Sequence, residues 1–327
     1  MNAFFQLLGN PAIISLCFGI IIGLFTRFDL PALLTHIVSY YLVFTIGFKG
    51  GLCIGAANEC TPPLLGLAAL GIVIGFIQPF IHYVLLEKTT KLDKATAAVV
   101  AAEYGSISIV TFITAISFLD SRSIAYDTFM PAIAGIMEIP ALLSGLWIVK
   151  QQRHSQENAL HALVQSFKAI LSCKKISLIF VGFFVGWLLR CCNTDALAGY
   201  IIWPFNLMLI LFMIDIGIKI AQEKEHIKAF SPSLFAFALF VPLINGIIAV
   251  SIAQPFAIHF GSLLLFAVLV SSASYIAVPA VMRTYVKEAK EAIYLPLSLG
   301  ITLPFNILVG IPIYYYVGSF LQNINLF

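Results

Sequence analysis

Ala101-Ala102-Glu103-Tyr104-Gly105-Ser106-Ile107-Ser108 interrupts an apolar run over residues 94–119, and Ser271-Ser272-Ala273-Ser274-Tyr275-Ile276-Ala277-Val278-Pro279 interrupts another over 256–283. Each run is otherwise long enough to cross a bilayer, for which about 20 apolar residues suffice. Glycine, clustered hydroxyls and proline weaken a helix. Irregular backbone at membrane depth is tolerated only where it is buried in protein or lines a cavity. Tyr104 and Tyr275 stand 171 residues apart, which makes the two interruptions counterparts in an internal repeat. In carriers built from inverted repeats, paired broken helices mark the substrate site, and their half-helix N-termini offer N–H donors and partial positive charge to an anion. No Lys or Arg lies in either stretch, so such a site would hold a small anion by backbone and hydroxyls. The candidate substrate-binding residues are Tyr104, Gly105, Ser106, Ile107 and Ser108, with Ser272, Ser274, Tyr275, Ile276 and Ala277.

The chain around these stretches is of one kind. Of its 327 residues 61% are hydrophobic and 10% charged, against about 25% charged in a soluble domain, so most of its surface faces lipid. A net charge of +3 is too small to argue for nucleic acid. Ten apolar runs can be read, at 10–27, 33–56, 62–86, 94–119, 127–149, 174–192, 197–221, 231–253, 256–283 and 292–318. With the connections placed on alternate sides, those after the odd-numbered runs hold fifteen basic residues and the other side holds Arg122 and Arg190, with Lys49 near the end of the second run assigned to neither. This positive-inside bias puts the odd connections in the cytoplasm and both termini outside, for a multi-pass protein of a bacterial inner membrane. The N-terminus lacks a basic leader, so the first run is expected to be retained rather than cleaved.

The two halves repeat. Ile14-Ser15-Leu16 with Gly23 matches Ile176-Ser177-Leu178 with Gly186, Ile46-Gly47-Phe48-Lys49 matches Ile216-Gly217-Ile218-Lys219, and the segment from Pro131 through Gly135 to Pro140 matches that from Pro296 through Gly300 to Pro304. These matches fall in the same order in both halves. Five runs per half is an odd number, so the second half enters the membrane upside down. The expected organisation is an all-α integral membrane protein. Residues 1–149 form one inverted repeat and 176–327 the other, joined by a cytoplasmic linker over 150–175. Within the linker, residues 159–171 read as an amphipathic helix lying on the membrane.

Glu103 and Glu138 are intramembrane carboxylates, and such groups are functional candidates by default. Glu103 lies beside the first interruption, where it can serve a cation or a proton. Glu138 precedes Pro140, with Thr302 and Asn306 at similar depth in the other half. Asp215 and Lys219 are spaced for an intrahelical pair, Lys49 for snorkelling, and His82 and His259 for capping or interfacial positions. Cys191 and Cys192 leave a disulfide to Cys60 open. No metal-binding spacing, hydrolase motif, nucleotide loop or dinucleotide fingerprint occurs. The chain is therefore read as no enzyme and without a cofactor, running on an ion gradient.

The chain resembles the sodium-dependent bicarbonate transporters of the SbtA type. The resemblance is carried by Ile46-Gly47-Phe48-Lys49-Gly50-Gly51, Tyr104-Gly105-Ser106-Ile107-Ser108 with Val110-Thr111-Phe112, Met137-Glu138-Ile139-Pro140-Ala141, Ser272-Ala273-Ser274-Tyr275-Ile276-Ala277 with Pro279, and Leu297-Ser298-Leu299-Gly300-Ile301-Thr302. It implies ten transmembrane helices as two inverted five-helix repeats with two crossed broken helices. Bicarbonate would be held at the crossing, sodium would be the coupling ion, and the carrier would be a homo-oligomer, a trimer in that family. Glu103, Thr111, Glu138, Thr302 and Asn306 are the candidate coupling-ion residues. Better-known members carry an aspartate where this chain has Tyr275. Their inter-half loop is also much longer, which counts against a PII-like regulator here. The rival readings are a carrier of the same fold for another anion, proton exchange through Glu103, and a membrane sensor or scaffold working through residues 150–175.

Overall fold

The computed structural model of the protein describes residues 11–26, 29–55, 62–152, 174–192, 196–256 and 259–324. Among these all regular structure is helical. The expected amphipathic helix over 159–171 and Cys60 lie outside the described residues, while Cys191 and Cys192 are free thiols.

The helices, in chain order, are α1 (Pro11–Phe25), α2 (Ala32–Ile54), α3 (Pro62–Thr89), α4 (Lys94–Gly105), α5 (Ile109–Asp120), α6 (Met130–Gln152), α7 (Lys174–Cys191), α8 (Ala196–Ile202), α9 (Phe205–Gln222), α10 (Lys224–Lys228), α11 (Pro232–Ala253), α12 (Phe260–Ser271) and α13 (Ala277–Tyr285). A last rod comes after them, made of α14 (Glu291–Pro296), α15 (Leu303–Phe305) and α16 (Ile311–Ile324). Two π-helical segments, Leu297–Thr302 and Asn306–Gly310, join its pieces. Seven described segments are long and apolar enough to cross a membrane, and α1, α7 and α12 are shorter apolar helices. The chain is thus a multi-pass membrane protein. The run over 197–221 divides at Trp203-Pro204 into α8 and α9, a break that apolarity alone does not reveal.

The π segments flank Pro304, which lacks the N–H its turn would use and crowds the preceding carbonyls. The ladder widens there: Leu303 N–H donates to Ser298 O and Ile311 N–H to Asn306 O, five residues back in each case. Pro79, Pro140 and Pro242 lie inside helices that continue past them. Pro242 leaves Ala238 O without its helical donor, and Thr302 Oγ1 fills that role at 2.9 Å.

Two close pairings form one part of the molecule. α1 packs along α9, and α2 along α7. Glycines make both possible. A Cβ on Gly19 would come within 2.2 Å of Ile214 O, and one on Gly217 within 2.3 Å of Leu16 O. In the other pair, a Cβ on Gly47 would meet Ile179 O at 2.1 Å, one on Gly51 Phe183 O at 1.9 Å, and one on Gly186 Phe48 O at 2.1 Å. Small residues four apart are a known way for helices in lipid to approach backbone to backbone.

The other part holds the broken helices. α4 lies between α3, α6 and α13, and α12 lies against α11, α5 and the last rod. Every residue of α12 after Phe260 is buried, as is every residue of α4 from Thr96 onward. α3, by contrast, exposes Leu65, Ile72, Ile77, Ile81 and Val84 to lipid. The broken helices are therefore enclosed by protein, as unpaired backbone at that depth requires.

Candidate functional site

α4 stops at Gly105 and α5 starts at Ile109, while α12 stops at Ser271 and α13 starts at Ala277. The two gaps bond to each other. Ser108 N–H donates to Ser272 Oγ at 2.7 Å, and Ser274 N–H donates to Glu103 O at 2.9 Å. Each bond satisfies a backbone group freed by one helix end with a group from the other, in a region without water to do so. Ser108 also caps α5: its Oγ accepts from Thr111 N–H at 3.3 Å and from Thr111 Oγ1 at 2.9 Å. The last carbonyls of α12 are met from neighbouring helices. Gln78 Nε2 donates to Val270 O at 3.2 Å, and Asn306 Nδ2 to Ser271 O at 2.8 Å. Gly105 is required by its neighbour, since a Cβ there would stand 2.4 Å from the Pro79 ring.

A small void sits at this junction, lined by Val43, Ile107, Ser108, Ile109, Glu138, Ile179, Ser274, Tyr275, Ile276 and Ala277. Ile109 and Ala277 are the first residues of α5 and α13, so both half-helix N-termini reach it. Its volume of about 10 Å³ is roughly the room one water needs. Beside it opens a larger cavity of about 270 Å³, which shares Tyr275 and Ile276 with the void. Thr35, His36, Ser39, Asp215, Lys219 and Arg283 give its walls their polar character. Tyr275 and Ile276 thus stand between the two spaces. Asp215 and Lys219 form the expected intrahelical ion pair.

Of the candidate substrate residues, Ile107, Ser108, Ser274, Tyr275, Ile276 and Ala277 come together at the void. Ser272 supports it through Ser108, and Ser106 is buried nearby with an Oγ that has no hydrogen-bond partner. Tyr104 lies elsewhere. It is inside α4 against Phe237, ring centroids 4.9 Å apart, and its hydroxyl bonds to Thr302 Oγ1. The register of 171 residues between Tyr104 and Tyr275 is accordingly corrected. The matching C-caps are Ser106 and Ser272, which pairs Tyr104 with Val270. Tyr275 instead falls in the gap itself, because the second gap is longer than the first.

The candidate coupling-ion residues separate in the same manner. Glu138 is a buried wall of the void. Thr111 is engaged with Ser108, Thr302 with Ala238 O, and Asn306 with Ser271 O. Glu103 is fully buried and lines neither the void nor the cavity, and neither carboxyl oxygen has a hydrogen-bond partner. Among the described residues no three His, Cys, Asp or Glu side chains converge as a metal cluster. A hard cation at the void would draw on hydroxyls, backbone carbonyls and Glu138.

His82 is buried and not interfacial, with Nε2 3.1 Å from Asn245 Nδ2. His259 is the N-cap residue of α12, with Nδ1 2.8 Å from Asp127 Oδ1. The Lys49 ammonium lies 4.0 Å over the Phe205 ring. Sequence reading passed over Gln78, although an amide beside a proline within an apolar run was a legible signal. It also passed over His36 and Arg283 as cavity residues.

Two discontinuous helices thus meet inside a multi-pass bundle, with a polar cavity beside their junction. Residues 11–319 match the Na⁺-dependent bicarbonate transporter superfamily, and the chain belongs to that family. It is therefore a transporter and not an enzyme. No curated protein matches the chain.

Proposed function

We propose that this protein is a secondary active carrier that couples sodium to the uptake of bicarbonate or a similar small anion, by alternating access at the junction of its broken helices. The observation that carries this reading is the void at which Ser108, Ser274, Tyr275 and Glu138 meet the first turns of α5 and α13. Two half-helix N-termini suit an anion. A carboxylate with neighbouring hydroxyls suits a hard cation beside it. Sodium is treated as a cargo ion. Ser108, Ser274 and Glu138 are the side chains proposed to share it with the anion.

Alternating access by two inverted repeats, residues 1–149 and 176–327, is supported by the pairing of helices. α1 on α9 and α2 on α7 exchange under such a symmetry, and their glycine contacts exchange with them. The 270 Å³ cavity reaches the junction from the side that carries Lys219 and Arg283. The charge bias of the sequence supports a cytoplasmic assignment for that side, with both termini outside, and on that reading the conformation is inward-facing. One sodium carried with one bicarbonate is electroneutral, and a tenfold sodium gradient then supplies about 1.4 kcal/mol, enough for tenfold accumulation. A second sodium would add about 2.3 kcal/mol per charge at 100 mV.

The test is uptake of isotope-labelled bicarbonate into proteoliposomes, with and without an inward sodium gradient. Uptake is expected only with the gradient, and lost in Glu138→Ala. Gradient-independent or absent uptake by folded protein would sink the sodium-bicarbonate reading.

A further inference from the structure

The void at the junction is smaller than the cargo proposed for it. Its volume of about 10 Å³ houses one water, whereas bicarbonate is a carbon with three oxygens. A wall therefore has to move before the anion can seat beside Ser108, Ser274 and the first turns of α5 and α13.

The walls differ in how firmly they are held. Val43 and Ile179 belong to α2 and α7, whose backbones meet so closely at Gly47 that a Cβ there would stand 2.1 Å from Ile179 O. Ser108 is held by Ser272 Oγ at 2.7 Å and by its cap on Thr111. Ser274 is held by its N–H on Glu103 O at 2.9 Å and by its Oγ, which accepts from Val278 N–H at 3.4 Å. Ile109 and Ala277 are the first residues of helices. Tyr275 and Ile276 lie in the gap between α12 and α13, and among the described residues their N–H groups donate to no backbone carbonyl. Among the described residues they are also the two that line both the void and the cavity.

Of these two, Tyr275 carries the larger side chain, and its hydroxyl is buried without a hydrogen-bond partner. Buried hydroxyls are ordinarily bonded. At a cargo site, an unbonded one marks a place for an acceptor that arrives with the cargo, and an oxyanion is a strong acceptor. The ring has room to move on one side: the void holds a single water, while the neighbouring cavity measures about 270 Å³. Rotation into the cavity joins the two spaces. Lys219 and Arg283 on the cavity wall favour an anion in the joined passage. Asp215, the one carboxylate among the described lining residues, is already paired with Lys219.

We propose that Tyr275 is the gate between the anion site and the cavity. Its ring closes the passage in this conformation and swings into the cavity to open it. Its hydroxyl donates to an oxygen of the passing oxyanion. The inference rests on the carrier reading for the identity of the cargo, while the barrier stands on the two spaces and the ring between them.

The barrier is tested with Val43→Cys, at a wall of the void that does not line the cavity. The protein in lipid nanodiscs is exposed to a charged methanethiosulfonate, and modification at position 43 is followed by mass spectrometry, which separates it from the native cysteines. Adding Tyr275→Ala is expected to speed modification by about tenfold or more, because a minor open state is populated only about 0.1–10% of the time. An unchanged rate overturns the gate. Adding Ile276→Ala instead should give a smaller gain, and an equal gain overturns the assignment to Tyr275. Should Tyr275→Ala fail to fold, Tyr275→Leu takes its place with the same two outcomes.

Tyr275→Phe keeps the ring and removes the hydroxyl. Modification at position 43 should stay slow, and a fast rate overturns the ring as the barrier. In uptake assays the KM for bicarbonate should rise by about tenfold with kcat little changed, as for loss of one hydrogen bond to a charged group. An unmoved KM overturns the hydroxyl contact. If the wild type takes up no bicarbonate on a sodium gradient, the cargo reading fails, while modification at position 43 still decides the gate.

Discussion

Helices α4 and α12 stop in nearly the same backbone conformation, at Ser106 (φ −101°, ψ 176°) and Ser272 (φ −89°, ψ 169°), and each cap N–H turns back to the carbonyl three residues earlier. Beyond these caps the two breaks differ. The first gap is short, and Ser108 closes it by capping its own helix. The second is longer, and its residues reach across: Ser272 Oγ holds Ser108 N–H, Ser274 N–H holds Glu103 O, and Tyr275 enters the space between the void and the cavity. The two helix ends share a backbone conformation, and the gaps that follow them differ in length and in what they reach. The first break caps its own following helix but takes the acceptor for Ser108 N–H from the second, and the second also places Tyr275 between the void and the cavity.

Substitutions at matched positions can break this comparison. The largest effect is expected at the last residues of the two helices. Gly105→Val would drive side-chain atoms into the Pro79 ring, which cannot yield, and overpacking of this kind costs about 1–3 kcal/mol or more. At the matched Ser271 a side chain is already housed, and Ser271→Ala is expected to cost less than about 1 kcal/mol. Thermal unfolding of both variants in detergent checks this, and equal losses would refute the asymmetry. A middle effect is expected at the caps. Ser272→Ala leaves the buried Ser108 N–H without its acceptor, a loss of about 1–3 kcal/mol. The partnerless Ser106 Oγ can be removed with little loss of stability. Transport lost in Ser106→Ala at unchanged unfolding temperature would then report contact with cargo.

The smallest effect belongs to a second matched pair, at the outer ends of the same helices. On one face Lys290 N–H donates to Thr96 Oγ1 at 3.0 Å, Thr96 Oγ1 donates to Asp93 Oδ2 at 2.9 Å, and Lys290 Nζ lies 3.4 Å from Asp93. On the other, Asp127 N–H donates to Ser262 Oγ at 2.7 Å, Ser262 donates back to Asp127 Oδ2, and His259 completes the set. The hydroxyl and backbone parts are the same, but the charges have exchanged elements. At Asp93, burial pushes the carboxyl up, but hydrogen bonds from Thr96 and the Lys290 charge outweigh it and hold the group below the usual carboxylate value. A depressed value contributes stability above the ordinary carboxylate range, lost as pH falls through the folded value. The group is well exposed, so Asp93→Asn is expected to remove only about 0.5 kcal/mol. That loss should be visible in unfolding temperature near neutrality and vanish in acid. A loss that persists in acid would mean packing, not charge.

Much of this architecture is legible in the residues alone. The apolar runs, the two interruptions and the matched Ile-Gly-x-Lys and Gly positions are all local, because lipid forces backbone groups to bond within a helix and leaves the pattern in the composition. Glu103 and Glu138 are conspicuous as carboxylates in apolar surroundings. Their separation is not legible, nor is the true register of Tyr104, since the gaps 106–108 and 272–276 differ in length but look alike as strings of mostly small residues. Thr302 and Asn306 stand out as polar, but their partners, Ala238 O and Ser271 O, lie on other helices.

By itself the sequence determined that this chain lives in a membrane, where two of its apolar runs are interrupted, which family it resembles and which polar groups had to be explained. Solvent alone dictates those features, residue by residue. Tertiary structure decided which helix end meets which, that Ser108 and Ser272 are partners, that Tyr275 and not Tyr104 faces the cavity, and that Glu103 has no donor. Hydrogen bonds between broken helices depend on close approach of segments 164 residues apart, and no local pattern encodes the geometry that makes or withholds them.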